Sequence, residues 1–230
     1  MLRRPTAVAI VPAYNEAARL PHVLSVLTSC PSIHDVVVVD DGSADDTAEV
    51  ARAHGVRVLR QPTNLGKGAA MERGVAAASG DIVFFCDADI RGLTHELIDD
   101  VIEPVRQGRT AMSIALLGRR VYRMRHLLKL VEPLGGTRAL RRDLWTAVPP
   151  QFKQRFAIET ALNYYAARSG KGFEYRIVTG LRHSVKEQKY GLVRGLTARS
   201  RMCWDVGATF LKLRFQGGVT GLLVSARRAK

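Results

Sequence analysis

Ile82-Val83-Phe84-Phe85-Cys86-Asp87-Ala88-Asp89 is the stretch whose reading decides the fold. An apolar run that stops abruptly at two carboxylates reads as a strand buried on both faces of a parallel sheet. In open α/β sheets ligands bind at the carboxyl ends of such strands. Residues two apart on an extended segment point the same way, so Asp87 and Asp89 are expected to reach one hard cation together. Mg²⁺ and Mn²⁺ take oxygen ligands and complete a shell begun by one or two carboxylates with phosphate and water. A turn or a helix start uses the same pair of acids, and Asp-x-Asp alone does not separate the two uses.

Upstream, Ala7-Val8-Ala9-Ile10-Val11 is a first strand, which Pro12 is expected to stop. Pro12-Ala13-Tyr14-Asn15-Glu16 then leads into a helix carrying Leu20, Val23, Leu24 and Leu27 at helical spacing. Val36–Val39 is a second buried strand ending in Asp40-Asp41-Gly42-Ser43, and Asp45, Asp46 and Thr47 open the next helix at its positive end. After a short strand, Val56–Leu59, the segment Asn64-Leu65-Gly66-Lys67-Gly68 bends into a helix over Ala69–Ala78. Glycines there let backbone approach an anion closely at a helix N-terminus, although a tight turn uses the same two glycines and the full P-loop pattern is absent. The strand–helix alternation predicts an α/β fold: a right-handed, mostly parallel sheet flanked by helices on both faces.

Downstream, Leu93–Arg106 reads as a helix and Met112–Leu117 as a strand. Arg119 to Arg142 is strongly basic, with Glu132 its one acid, and most of it reads as a solvated face. Gly135-Gly136-Thr137-Arg138 is set apart by glycines that let an anion approach the backbone and Arg138. Phe156–Ala167 is a helix with Ile158, Ala161, Leu162 and Tyr165 on one side and Glu159 on another. Phe173–Val178 is read as the last strand, with His183 soon after it. Leu196–Phe215 mixes arginine and lysine with Met202, Trp204, Phe210 and Phe215. That mixture suits a helix on an anionic membrane, and equally one packed on the domain or on a second subunit.

The 230 residues suffice for one core, and 47% hydrophobic with 24% charged residues is a globular composition. A net charge of +14 implies a polyanionic partner: a phosphorylated small molecule, an anionic membrane surface or nucleic acid. With no recognised nucleic-acid motif, nucleic acid is not expected. Cys30, Cys86 and Cys203 are widely spaced and read as reduced thiols of a cytoplasmic protein. The start has no secretory pattern, and Val206–Val224 is interrupted by Lys212, Arg214 and Gln216, so neither a leader nor a spanning helix is expected.

Val11-Pro12-Ala13-Tyr14-Asn15-Glu16, Val39-Asp40-Asp41-Gly42-Ser43, Asn64-Leu65-Gly66-Lys67-Gly68 and Asp87-Ala88-Asp89, in that order, resemble the family 2 glycosyltransferases of GT-A (Rossmann-like) fold. The likeness continues more weakly through Gly135–Arg138, Glu159 and His183 to Gly191, and fades after Arg201. It implies transfer of a sugar from a nucleotide diphosphate, of UDP or GDP type, to an acceptor, with Mg²⁺ or Mn²⁺ as cofactor. It implies that Pro12, Ala13, Tyr14 and Glu16 flank base and ribose, that Asp40 or Asp41 accepts from the nucleobase, and that Lys67 approaches the nucleotide. Asp87 and Ala88 would lie near the sugar or ribose, Asp89 would bind the metal on the diphosphate, and His183 would be a further metal ligand. Within the family the chain looks like the polyprenyl- and dolichyl-phosphate sugar synthases and the glucosyl-3-phosphoglycerate synthases. It departs from the first group at Ile90-Arg91, where glutamine is common, and from the second in being shorter. Both groups have phosphorylated acceptors, which places Gly136, Thr137, Arg138 and Lys189 on the acceptor side, with Lys189 also within the diphosphate's reach.

Glu159 is the candidate base if the acceptor is a hydroxyl. A phosphate acceptor, with its second pKa at ~6, is already ionised, and Glu159 would then only orient it. As a helix residue it also reads as a simple salt-bridge partner. The expected organisation is a catalytic domain over residues 1–195 with a basic amphipathic extension of it over 196–230; peripheral contact with the inner face of a membrane and homodimer formation are left open. A nucleotidyltransferase would carry a Gly-rich triphosphate loop after the first strand, where this chain has Pro12–Glu16. A non-catalytic basic membrane- or nucleotide-binding module would have little use for acids at successive strand ends.

Overall fold

A computed structural model describes residues 3–117, 135–154, 157–183 and 227–228. Lys189, Cys203, most of the basic run after Arg119 and the segment Leu196–Phe215 lie outside the described residues. Strands β1 (Ala7–Ala13), β2 (Asp35–Asp40), β3 (Arg57–Arg60) and β4 (Ile82–Phe85) alternate with helices α1 (Leu20–Ser29), α2 (Thr47–Ala53) and α3 (Lys67–Ala77). Then come β5 (Ile90–Arg91), α4 (His95–Arg106), β6 (Met112–Leu117), β7 (Arg138–Arg141), α5 (Arg142–Ala147), a 3-10 turn (Pro150–Phe152) and α6 (Ala157–Arg168). The last of the described elements are β8 (Phe173–Val178), β9 (Arg182–His183) and β10 (Arg227–Arg228).

Among the described residues, eight strands form one sheet in the order β10-β8-β6-β7-β4-β1-β2-β3, and β7 is antiparallel to both of its neighbours. The expected mostly parallel α/β sheet is therefore present, interrupted by one reversed strand. Alternation along β1 divides the core: Ala7, Ala9, Val11 and Ala13 pack with α1 and α4, whereas Val8 and Ile10 pack with α3, α5 and α6. Leu20, Val23, Leu24 and Leu27 of α1 are all fully buried. At about 1.5–3 kcal/mol for each buried side chain, that stripe alone holds α1 to the sheet.

Three expectations need correction. Pro12 does not stop β1, which runs on to Ala13 with Pro12 opposite Val39 of β2. Ile10 O accepts from Cys86 on the β4 side and Ala13 O from Asp41 on the β2 side. Pro12 shares the parity of Ile10, so its missing N–H faces the β4 side just beyond the last β1–β4 pair, Ile10↔Phe85, where no ladder bond is lost. Arg138, expected to be within an anion's reach through Gly135 and Gly136, is instead fully buried in β7 between β4 and β6. Phe173–Val178 is not the last strand: β9 pairs with β5, and β10 adds to β8.

Helix α3 is held at its far end by Arg142, whose guanidinium donates to Val75 O (2.9 Å), Ala78 O (3.0 Å) and Gly80 O (2.6 Å). Val75 O and Ala78 O are carbonyls that a helix end leaves without intrahelical partners, and Gly80 lies in the turn just beyond it. Arg142→Ala is expected to lower unfolding free energy by about 1.5–3 kcal/mol, measured by urea denaturation, as befits charged hydrogen bonds. Arg142→Lys should recover only part of it, because an ammonium cannot reproduce the planar fork.

Candidate active site

Because β1 to β4 run parallel, the loops that follow them meet at one edge of the sheet, where the strand order reverses beside β1. The first loop is buttoned to the second. Asn15 N donates to Ser43 Oγ (2.9 Å), Glu16 N to Thr47 Oγ1 (2.9 Å) and Ala17 N to Asp45 Oδ2 (3.2 Å). Asn15 Oδ1 in turn accepts from Ala44 N (2.8 Å). Asn15 has a φ of 53°, a left-handed conformation that asparagine tolerates better than most residues. Pinned in this way, the loop carries the exposed ring of Tyr14.

Asp40 and Asp41 turn inward. Asp40 is completely buried; its Oδ1 accepts from Ser43 N (2.9 Å), and its Oδ2 lies 3.3 Å from Arg60 Nε. Asp41 accepts from Gln61 Nε2 (2.6 Å), Leu65 N (2.8 Å) and Gly66 N (2.8 Å), which clamps the loop ahead of α3. Burial raises the Asp41 pKa, and these three donors only partly offset it. Gly66, with a φ of 93°, supplies the left-handed turn from which Lys67 begins α3. Gln61 gave no signal in the sequence; only the fold brings it to Asp41.

Lys67 Nζ lies 2.8 Å from both Asp87 Oδ1 and Glu159 Oε1. Glu159 Oε2 lies 3.7 Å from Arg138 Nη2. Arg138 is fully buried and also donates through Nε (2.8 Å) and Nη2 (2.6 Å) to Gly135 O. Two cations and two carboxylates thus alternate from the tip of β4 through α3 and α6 to β7. The Asp87 carboxylate rests against Gly136, where any Cβ would overlap it. Gly136 therefore serves Asp87, and Thr137, like Arg138, is buried. Burial works against the charge on Lys67, but Asp87 and Glu159 more than reverse this and raise its pKa. Burial would likewise raise Glu159, yet Lys67 and Arg138 hold it below its ordinary 4.5. Glu159 is thus ionised and a weak proton acceptor.

Asp87 and Asp89 do not sit on an extended segment. The chain turns at Ala88-Asp89, with Ile90 N donating to Asp87 O (3.4 Å), so strand alternation does not align the two acids. The turn leads into β5, whose Ile90 pairs with His183 of β9. That pairing brings the Asp89 turn beside the backbone of His183, far along the chain. Among the described residues no three His, Cys, Asp or Glu side chains converge as a metal cage. A hard cation fits such a place when a ligand's phosphates complete its shell, and an aspartate in a strand-end turn is the oxygen donor that this requires.

Glu159→Gln leaves Lys67 with Asp87 and takes away the carboxylate beside Arg138, and breaking a buried pair costs about 3–5 kcal/mol. Because Glu159 is depressed below 4.5, its contribution is complete above that pH and is lost as pH falls through the folded value. Urea denaturation of wild type and Glu159→Gln should therefore differ most near neutrality and converge under acid.

The Glycosyl transferase family 2 model matches residues 8–158. Glucosyl-3-phosphoglycerate synthase of Mycobacterium tuberculosis is 30% identical over 158 residues, covering 64% of this chain and 49% of that protein. The chain thus spans about half the length of this curated relative. A dolichyl-phosphate beta-glucosyltransferase of Mus musculus is 36% identical over 96 residues, covering 35% of this chain and 30% of the relative. The crystal structure of the M. tuberculosis synthase with Mn²⁺, UDP-glucose and phosphoglyceric acid superposes with a TM-score of 0.75 at 27% identity, over 91% of this chain and 79% of that one. The fold agrees with these matches, and the chain belongs to glycosyl transferase family 2.

Proposed function

We propose that this chain transfers a sugar, glucose from UDP-glucose by analogy with the ligand of the M. tuberculosis structure, to a phosphorylated acceptor with Mg²⁺ or Mn²⁺ present. The observation that carries the proposal is the meeting of four parallel-strand loops around Lys67, Asp87 and the Asp89 turn. Tyr14, exposed on its pinned loop, offers a face for the base, with Pro12, Ala13 and Glu16 beside it. Asp40 and Asp41 shape this side mainly by holding loops, and donation to them from a base would compete with the bonds they already accept. Lys67 orients Asp87 toward sugar or ribose, with Ala88 packed beneath.

Asp89, with His183, would hold the divalent cation, which neutralises the charge that gathers on the departing diphosphate. Glu159, paired with two cations, orients groups and is poorly suited to remove a proton. That favours an acceptor that arrives ionised, such as a phosphate. Buried Thr137 and Arg138 would support the acceptor side from beneath, and Lys189 is assigned to it on the resemblance alone. If the phosphate is a lipid's, Leu196–Phe215 has the composition to rest on an anionic surface; among the described residues no helix is long and apolar enough to cross a membrane.

Asp89→Ala is expected to lower release of UDP from UDP-glucose, in the presence of Mn²⁺ and either glycerol 3-phosphate or a polyprenyl phosphate, by at least about a hundredfold. Its thermal unfolding should stay near that of wild type. Undiminished turnover by the folded variant would remove Asp89 from the chemistry.

A further inference from the structure

The two-stranded ribbon of β5 and β9 places Arg91 directly opposite Arg182. Directly opposed residues of an antiparallel pair project from the same face, and like charges so placed repel. Both arginines are exposed, while Ile90, one residue away and on the other face, is buried. Neither has an acidic partner among the described residues. Other arginines of this chain do find such partners: Arg19 has Glu16, Arg57 has Asp35, Arg106 has Glu103 and Arg176 has Asp100.

The repelling pair is held together by its surroundings. Gly92, with a φ of 80°, lies so close to the Gly180 carbonyl that a Cβ would come within 2.5 Å of the oxygen. Only a glycine permits this approach of the two strands at the inner end of the ribbon. Leu181 and Ile90 are buried beneath it in the same apolar cluster as Leu93. The ribbon thus carries two exposed arginines directly opposite each other on one face, with Arg91 two residues beyond Asp89.

We propose that Arg91 and Arg182 form a phosphate-binding site, taking the phosphate of the acceptor beside the sugar-transfer centre. Two planar forks meeting one tetrahedral oxyanion make charge-assisted, bidentate bonds and relieve the repulsion between them. The proposal rests on the transferase reading above, and the shared chemistry is a phosphate monoester, whether on a small metabolite or on a polyprenyl lipid.

The test compares wild type, Arg91→Ala, Arg182→Ala and the double variant of the full chain. Calorimetry with glycerol 3-phosphate reads the small-molecule source; co-sedimentation with phosphatidylcholine vesicles carrying a polyprenyl phosphate reads the lipid source. UDP with Mn²⁺ is the control ligand, and thermal unfolding checks the fold. Each single change should weaken one of the two phosphate ligands about tenfold, and the double change should abolish its binding, with UDP affinity altered less than about twofold. Loss confined to vesicles assigns a lipid phosphate, and loss confined to glycerol 3-phosphate a small one. Unchanged phosphate binding by the folded double variant overturns the site, as does wild type that binds UDP but neither phosphate ligand. Equal loss of UDP affinity would put the pair on the donor diphosphate and overturn the acceptor assignment. Wild type that binds no UDP at all would instead defeat the transferase reading itself.

Discussion

One ammonium group holds two carboxylates that the chain brings from distant places. Lys67 Nζ sits between Asp87, at the tip of the central strand, and Glu159, on α6. Its position depends on α3, which is fixed at both ends: Asp41 clamps the loop that enters the helix, and Arg142 gathers the carbonyls where it leaves. Gly136 then gives Asp87 the room that any larger residue would take. The tip of β4, the start of α3, the middle of the sheet and α6 are therefore one mechanical unit.

This unit is electrically balanced in a chain whose net charge is +14. Lys67 and Arg138 offset Asp87 and Glu159, so a nucleotide would not meet a bare positive wall inside the site. Lys67 and Arg138 also keep Glu159 ionised, because desolvation alone would favour its neutral form. Attraction of an anion falls instead to exposed cations at the rim, and Arg91 with Arg182 are two that the fold forces together.

Much of the fold was legible because its signals are local. Apolar runs at β1, β2 and β4 and helical spacing along α1 and α6 need no tertiary context to be read. The same holds for the placing of acids at strand ends. What escaped depends on contacts across the chain. β7 carries two arginines in four residues, and its burial becomes intelligible only beside β4 and β6. Pro12 continues a strand because β4 has already ended beside it. Asp87 and Asp89 were expected to act from one face, but a turn separates them, and Asp87 is committed to Lys67. Arg138 appeared suited to an open anion site and is instead an internal partner of Glu159, a pairing that no sequence spacing announces.

The most direct test of the metal–nucleotide site at these strand ends is calorimetric titration of wild-type protein with UDP, once in Mn²⁺ and once in EDTA. Binding heat that appears with Mn²⁺ and vanishes with EDTA is the expected result. Identical heats in both, or none in either, would contradict it.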